Sequence, residues 1–536
     1  MSKFNAQIHL TLVVVMNYGN GARPETDVPE LVSNLTNEIH IFSRHGAYTV
    51  EDGKRIDTPG WYPAAYGSAA RLFPDRKTHL WFCGEGSNAQ LAEFRKDDEP
   101  HHIFLPGYNE ASRNFANGAL WGCLRERIPN VPNHYMQRGF KEFLEFSLAT
   151  AEKASELPDN STLIFQDYQF ILLPGLINGT IDGSMIARAL TGVASQDEID
   201  SIVQRLEVVQ SRAADKNFAI TTFLHTSLPH AQYWDELNDG IGMMMISSVM
   251  SESVGVHSPN WQLRLAEAHI RYEGDPAALE RIFTSPIGMD ATGISEFLES
   301  NGASYIRESL ERDNLGDDII LISGRADPKN AISDVLAQIK ISYESNPELW
   351  KGKTLVLQVP PDGKEGCERE LAEIETLVAE LQEMNFPKVQ WYKDNNRDRS
   401  LVLAEKANVF IAGAPLGGFE VVTLEAIFAN PNSVVICSNG IGSAYVLDGL
   451  SKNFNVHDDL QTAFEDILPQ MPLTRSVEER AFIDELRASL TPQDWLHHLV
   501  GVAEQHQTPT INSRNEFLAK CFANSGLEIG TLSRQI

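Results

Sequence analysis

Short, unbroken apolar runs separated by helix-length amphipathic stretches set the strongest limit on what this chain can fold into. In the first half the runs are LTLVVVM (10–16), STLIFQDY (161–168), FAITTFLHT (218–226) and ESVGVHS (252–258). In the second half they are DIILISG (318–324), KTLVLQVP (353–360), KVQWYK (388–393), ANVFIAGA (407–414) and NSVVICSNG (432–440). Between them lie helical patterns at 331–345, ERELAEIETLVAELQEM (368–384) and VVTLEAIFA (421–429). A strand apolar on both sides must be covered on both faces, so alternation with helices predicts parallel, doubly wound sheets. A break is expected near 285–317, where TSPIGMDATGISEFLES runs into the charged RESLERDNLGDD. This divides the chain into an α/β domain at 1–285, a second at 286–490, and a helical tail at 491–536 after DWLHHLV. Ligands of such sheets sit beyond the carboxyl ends of the strands, and two facing domains would enclose a cleft.

Charge narrows the partners. Among 536 residues, 73 acidic and 44 basic side chains leave a formal net charge of −29. Such a surface repels nucleic acid and anionic membranes, leaving small molecules as the expected partners, with a homo-oligomer compatible with the composition. An anionic small molecule binds only where local cations outweigh the general field, so clustered Arg and Lys carry information. Five scattered cysteines (Cys83, Cys123, Cys367, Cys437, Cys521) without CxxC spacing argue against a disulfide framework or a zinc site and for a reducing, cytoplasmic setting. The run IHLTLVVVM is too short to span a bilayer and lacks a signal peptide's basic start and cleavage site, so it is expected to be a first strand.

Two strand ends are chemically unusual. In LISGRADPKN (321–330), Gly324 permits a turn and Arg325 projects from the strand end. Asp327 is a good N-cap and Pro328 suits a first helical position, so a helix is expected to open here with Lys329 in its first turn. Cations beside unpaired N–H groups are unfavourable unless an anion arrives, which points to a phosphate or diphosphate; a solvated surface pair with an ordinary cap is the alternative. In GAPLGGFEVVTLE (413–425), Gly417 and Gly418 let backbone N–H groups approach a ligand at another helix start. Glu425, further into that helix, could accept hydrogen bonds from a ribose diol or could simply face solvent.

Other segments resemble the trehalose-6-phosphate synthase family. FQDYQFILLPGLI (165–177) is similar to its His-Asp-Tyr-His…Leu-Pro segment, and ITTFLHTSLPHAQYWDEL (220–237) to its Phe-Leu-His-x-Pro-Phe-Pro segment. NFANGALW (114–121), SVGVHS (253–258), SPIGMD (285–290), GRADPKN (324–330), PLGGFEVVTLEA (415–426) and SNGIGSAYVL (438–447) match further motifs in order. The matches extend from about 108 to 495. Around SGRADPKNA and KDNNRDRS the wording is closer still to the pseudo-glycosyltransferase validoxylamine 7′-phosphate synthase, which joins a nucleotide-activated cyclitol to an aminocyclitol phosphate through nitrogen.

The resemblance implies a GT-B fold: two doubly wound Rossmann-like domains facing a cleft, with the acceptor on the N-terminal side and the nucleotide donor on the C-terminal side. It implies retaining transfer without metal or other cofactor from a UDP- or GDP-linked sugar or cyclitol. By motif position, Arg325 and Lys329 bind the diphosphate, Gly417, Gly418, Phe419, Glu420 and Val421 form the donor loop, and Glu425 holds the ribose. His225 and Asp167 orient donor and acceptor, and Trp121 lines the acceptor pocket. Arg113 and Lys364 fall near the positions that bind the acceptor's phosphate. Read from the residues alone, His225 could equally be a core histidine, Asp167 a turn cap and Trp121 a core ring. The chain also departs from the pattern: Arg325 and Lys329 are one residue closer together, the family's loop aspartate is Gly417, and its loop asparagine is Glu420. The family's N-terminal Asn-Arg pair and glycine loop are matched by MNYGNGARPE (16–25), with Tyr18 at the arginine's place and Arg23 nearby. A non-catalytic sugar-phosphate-binding regulatory homologue, trehalose-6-phosphate synthesis proper and a nucleotide-sugar epimerase remain alternatives, since fold does not fix function.

Overall fold

The computed structural model describes residues 38–505, apart from short segments at 52–53, 58–64, 68, 84–91, 94, 127–132, 238, 362–366, 449 and 455–459. The expected first strand at 10–16, Tyr18, Arg23 and Lys364 therefore lie outside the described residues, as does 506–536.

The strands are β1 (Glu38–Ser43), a hairpin of β2 (Tyr48–Glu51) and β3 (Lys54–Asp57), β4 (Lys77–Phe82), β5 (His101–Phe104), β6 (Thr162–Gln166), β7 (Ala219–Phe223), β8 (Ser253–Val256) and β9 (Ile282–Thr284). They continue with β10 (Ile319–Ser323), β11 (Thr354–Gln358), β12 (Val389–Tyr392), β13 (Val409–Ala412), β14 (Val434–Ser438) and β15 (Ser451–Phe454). Seven form one sheet, β5-β4-β1-β6-β7-β8-β9, and six form another, β12-β11-β10-β13-β14-β15. Every pairing within these two sheets is parallel. Each sheet thus follows the doubly wound order 3-2-1-4-5-6, the first with one strand added. Strand order reverses between β1 and β6 in one sheet and between β10 and β13 in the other, and crevices open at those two places.

Both faces of both sheets are buried. In the first, Ile39, Ile41, Leu80 and Ile164 pack on one face, and Phe42, Trp81, Leu163 and Phe165 on the other. In the second, Ile319 and Leu321 point one way and Ile320 and Ile322 the other. Strands β6, β7, β8 and β10–β14 fall within the apolar runs read from sequence. Strands β1, β4, β5, β9 and β15 were not expected. EIHIFS and KTHLWF break their apolar runs with Glu, Lys and His, and HHIF is too short to stand out.

One expectation needs correction. The α-helix after β10 begins not at Asp327 but at Ile332; Pro328–Asn330 form a single 3-10 turn capped by Asp327. Ala331 separates the two in a left-handed conformation (φ 47°), which interrupts helical propagation. After 491 the described residues are helical. The helix Pro492–Gln505 returns to the first sheet, burying Trp495, Leu496, Leu499, Val500 and Ala503 as one stripe. Thr162 Oγ1 donates to Glu504, and Ser285 Oγ lies 2.9 Å from His498 Nδ1. The chain therefore passes between the sheets twice, and the two passages touch. Met289 N donates to Leu490 O at 2.6 Å, and a Cβ on Gly288 would lie 2.0 Å from Thr491 O. Among the described residues no helix is long and apolar enough to cross a membrane.

Candidate active site

The N-terminal contribution comes from the β1/β6 switch point. Asp167 follows β6 with φ 65° and ψ −179°, a region that costs a non-glycine residue about 1–3 kcal/mol. The fold holds it there. Asp167 N donates to Phe223 O at 2.7 Å, and its carboxylate accepts from His225 N at 3.2 Å. Burial pushes the Asp167 carboxyl up to about 6, opposed by the N–H groups of Tyr168, His225 and Thr226 and by the charge of Arg44. Arg44 follows β1, and its charge also acts on Tyr108. His225 follows β7. Its Nε2 donates to Gln166 Oε1 at 2.7 Å and lies 3.3 Å from the Tyr66 hydroxyl, while its ring packs on Phe223, His257 and Trp495. Burial, then the neighbouring His257, holds its pKa well below the usual histidine value, so it is neutral at pH 7. This setting suits a core histidine as well as a ligand contact.

The C-terminal contribution begins beyond β10. Arg325 is exposed, and Lys329 is half-buried with Nζ 3.6 Å from Asp327 Oδ2. Asp327 also accepts from Lys329 N at 3.0 Å, which fixes the turn. Burial and the charge of Arg125 lower the Lys329 pKa, opposed by Asp327 and Glu420.

After β13 the loop at 415–420 presses against the N-terminal lobe. A Cβ on Gly418 would lie 2.0 Å from His225 O, so only glycine allows this approach. Gly418 O accepts from Gly442 N at 2.6 Å, and the Phe419 ring packs tilted against His257, 5.2 Å between centroids. At Gly417 a Cβ would meet Glu420 Oε1 at 2.6 Å, so the Glu420 side chain occupies the space a residue-417 side chain would fill. A carboxylate is thus present in the loop although position 417 supplies none. Glu420 caps the helix Val421–Ala429 without a side-chain hydrogen bond, which leaves its carboxylate for other uses. Glu425 is buried and not solvent-facing; its Oε1 accepts from Arg397 Nη2 at 2.9 Å and Nε at 3.2 Å. Any diol bound there shares that carboxylate with Arg397.

Trp121 joins the two sides. Its ring lies 5.4 Å from Tyr168, while Lys329 Nζ sits 5.3 Å from the ring centroid and the Arg125 guanidinium carbon 4.7 Å. Arg113 is exposed on the short helix Glu110–Asn114, near enough for its charge to act on Tyr108. In a chain of net charge −29, Arg44, Arg113, Arg125, Arg325 and Lys329 all bear on this one region. Sequence reading missed Arg44, Arg125 and Arg397. Arg44 directly follows β1 and Arg125 stands one helical turn from Trp121, but neither position has meaning until the strand ends and lobes that meet are known.

Glu38, His40 and His79 also cluster, with ligand atoms within 4.8 Å of one another, but at the amino ends of β1 and β4, opposite the cleft. Trp81 Nε1 donates to His40 Nδ1 at 3.1 Å. Since tryptophan can only donate, neutral His40 carries its proton on Nε2, the atom a metal would need. That tautomer fits a hydrogen-bonded histidine whose Nε2 faces Glu38 Oε2 at 3.4 Å better than a metal ligand.

Two parallel Rossmann-like sheets, with their switch points turned toward one gap and a last helix returning to the first sheet, define the GT-B fold. Solved structures sharing it are of trehalose-6-phosphate proteins. The N-terminal domain of Candida albicans trehalose-6-phosphate phosphatase superposes with a TM-score of 0.65 at 17% identity, over 92% of this chain and 97% of its own. The E. coli trehalose-6-phosphate structure bound with UDP-2-fluoro glucose gives 0.67 at 14%, over 87% and 99%. The UDP-forming alpha,alpha-trehalose-phosphate synthase of Burkholderia xenovorans, in complex with glucose-6-phosphate, gives 0.65 at 15%, over 87% and 100%. No protein-family model and no curated protein matches the chain.

Proposed function

We propose that the chain is a retaining, metal-independent transferase. It moves a sugar or sugar-like cyclitol from a UDP- or GDP-linked donor to a small acceptor that can itself carry a phosphate. The observation that carries this reading is Lys329, beyond the carboxyl end of β10, with its Nζ over the Trp121 ring of the opposite lobe and Arg125 on the same ring, while Arg325 is near enough for its charge to act on Lys329. Fixed cations in a partly dry gap favour the charge that develops on a departing diphosphate. In this scheme the bond from the donor carbon to the phosphate oxygen breaks. The acceptor attacks from the same face, and its proton passes to the leaving phosphate oxygen. No separate base is needed, and rate comes from positioning and leaving-group electrostatics.

In this reading Arg325, Lys329 and the 417–421 loop grip the donor, and Glu425 with Arg397 faces its ribose. Asp167 and His225 orient the reacting groups, while Trp121, Arg113, Arg44 and Lys364 serve the acceptor. The altered loop favours a diverged or pseudo-glycosyl transfer over trehalose 6-phosphate synthesis. Glu420 is suited to a hydroxyl or an amine, since a carboxylate beside a diphosphate is otherwise unfavourable. The free, buried thiols of Cys83 and Cys123 fit a reducing, cytoplasmic setting.

Calorimetric titration with UDP, GDP and ADP tests the reading. The wild-type protein should bind one of them, and Arg325→Ala should abolish both binding and turnover. Unchanged affinity in that variant refutes the assignment. A second reading, a non-catalytic sugar-phosphate binder, draws on the loss of a side chain at Gly417. It is eliminated if donor consumption exceeds that of Asp167→Ala.

A further inference from the structure

Arg125 is held in an unusual way. It closes the short helix Trp121–Leu124 as its C-cap, one turn after Trp121, and lays its guanidinium on that ring. Nη1 reaches to the other lobe and donates to Leu416 O at 2.6 Å. Among the described residues this is its one hydrogen bond, and no carboxylate stands within ion-pair distance. Nε is buried without any partner. A buried guanidinium N–H left without an acceptor costs about 1–3 kcal/mol, so such a side chain persists where an acceptor arrives from outside the protein. The stacking on Trp121 and the bond to Leu416 fix the plane of the fork, leaving the Nε edge preorganised. Lys329 Nζ lies over the same ring, so two cations from opposite lobes converge on one place.

We propose that Arg125 is an oxyanion-binding residue of the cleft: its Nε edge takes a phosphate-type group of the ligand in concert with Lys329. The identity of that ligand rests on the transferase reading; the anion subsite itself rests on the geometry of Arg125. Two sources carry the required chemistry, the donor's diphosphate and a phosphate on the acceptor.

The test uses the full chain with Arg125→Gln, which removes the charge, and Arg125→Lys, which keeps charge and a donor for Leu416 O but loses the fork. Calorimetry has two arms: UDP, GDP and inorganic pyrophosphate in one, glucose 6-phosphate and inorganic phosphate in the other, each at two salt concentrations. Arg125→Gln should weaken binding about 10- to 100-fold in one arm and flatten its salt dependence, and Arg125→Lys should recover part of the loss. The arm that responds identifies the source. If Arg125→Gln fails to fold, Arg125→Lys carries the test with an expected loss of about threefold to tenfold. Wild-type binding with unchanged affinity and salt dependence in the folded variants overturns the assignment alone. A wild-type protein that binds none of the probes overturns both it and the transferase reading.

Discussion

The two sheets share a strand order but equip their carboxyl ends differently. The C-terminal sheet offers backbone and charge: a glycine pair pressed against the facing lobe, a capped 3-10 turn, and cations at its rim. The N-terminal sheet offers rigid, desolvated groups: Asp167 in a costly backbone conformation, and His225 kept neutral among aromatic rings. Such a division suits a cleft in which one side grips a charged leaving group while the other fixes the geometry of attack. It also separates the consequences of mutation. Changes on the C-terminal side should alter ligand affinity or lobe contact, and changes on the N-terminal side should exchange stability against rate.

The largest effect that can break this contrast is expected at Gly418. Gly418→Val forces a side chain into the His225 carbonyl, and the lobes must separate or strain. A loss of about 3 kcal/mol or more in denaturant unfolding, or a larger radius in small-angle scattering, is expected. No change in either would mean that the loop does not define the gap.

Asp167→Asn should do the reverse. Because the folded carboxyl is raised from 3.8 to about 6, the charged form is the destabilised one. The native state binds the extra proton below that value, and this contribution is lost as pH rises through it. Replacement by a neutral amide should therefore stabilise the protein by about 2 kcal/mol at pH 7, with the gain vanishing near pH 4, while turnover falls. Equal melting shifts at pH 4 and pH 7 would contradict the buried-charge account.

A smaller effect is expected at Glu425→Gln, which unbalances Arg397. Nucleoside diphosphate affinity should drop about tenfold, and affinity for inorganic pyrophosphate should be unchanged. Smallest of all is Arg205→Ala, which breaks pairs with Glu145 and Glu152 on outer helices away from the cleft. It should cost about 0.5 kcal/mol in stability, with turnover intact.

The sequence was most legible where burial is complete on both faces. Strands β10, β11, β13 and β14 are buried runs rich in Val, Ile and Leu, and the apolar pattern finds them. In the N-terminal sheet, β1 and β4 carry a row of charged and imidazole side chains at their amino ends, so hydrophobic pattern alone passes over them. The turn at 327–331 misled for a local reason: Asp-Pro-Lys is a sound helix opening, and only the left-handed Ala331 stops it. Residues that are neighbours in the chain, such as Gly417 to Glu420, can be singled out from sequence. Arg125 and Arg44 cannot, because their meaning depends on which strand ends and which lobes come together in space.

The paired passages at Met289 and Leu490 constrain how the gap can vary. Two connecting segments joined by a backbone hydrogen bond would act as a knuckle, favouring a swing of the lobes about that line over their separation. A ligand spanning the rim far from that line gains the greatest leverage over the swing, which makes the distant edge of the cleft the place where occupancy is best reported by a distance probe.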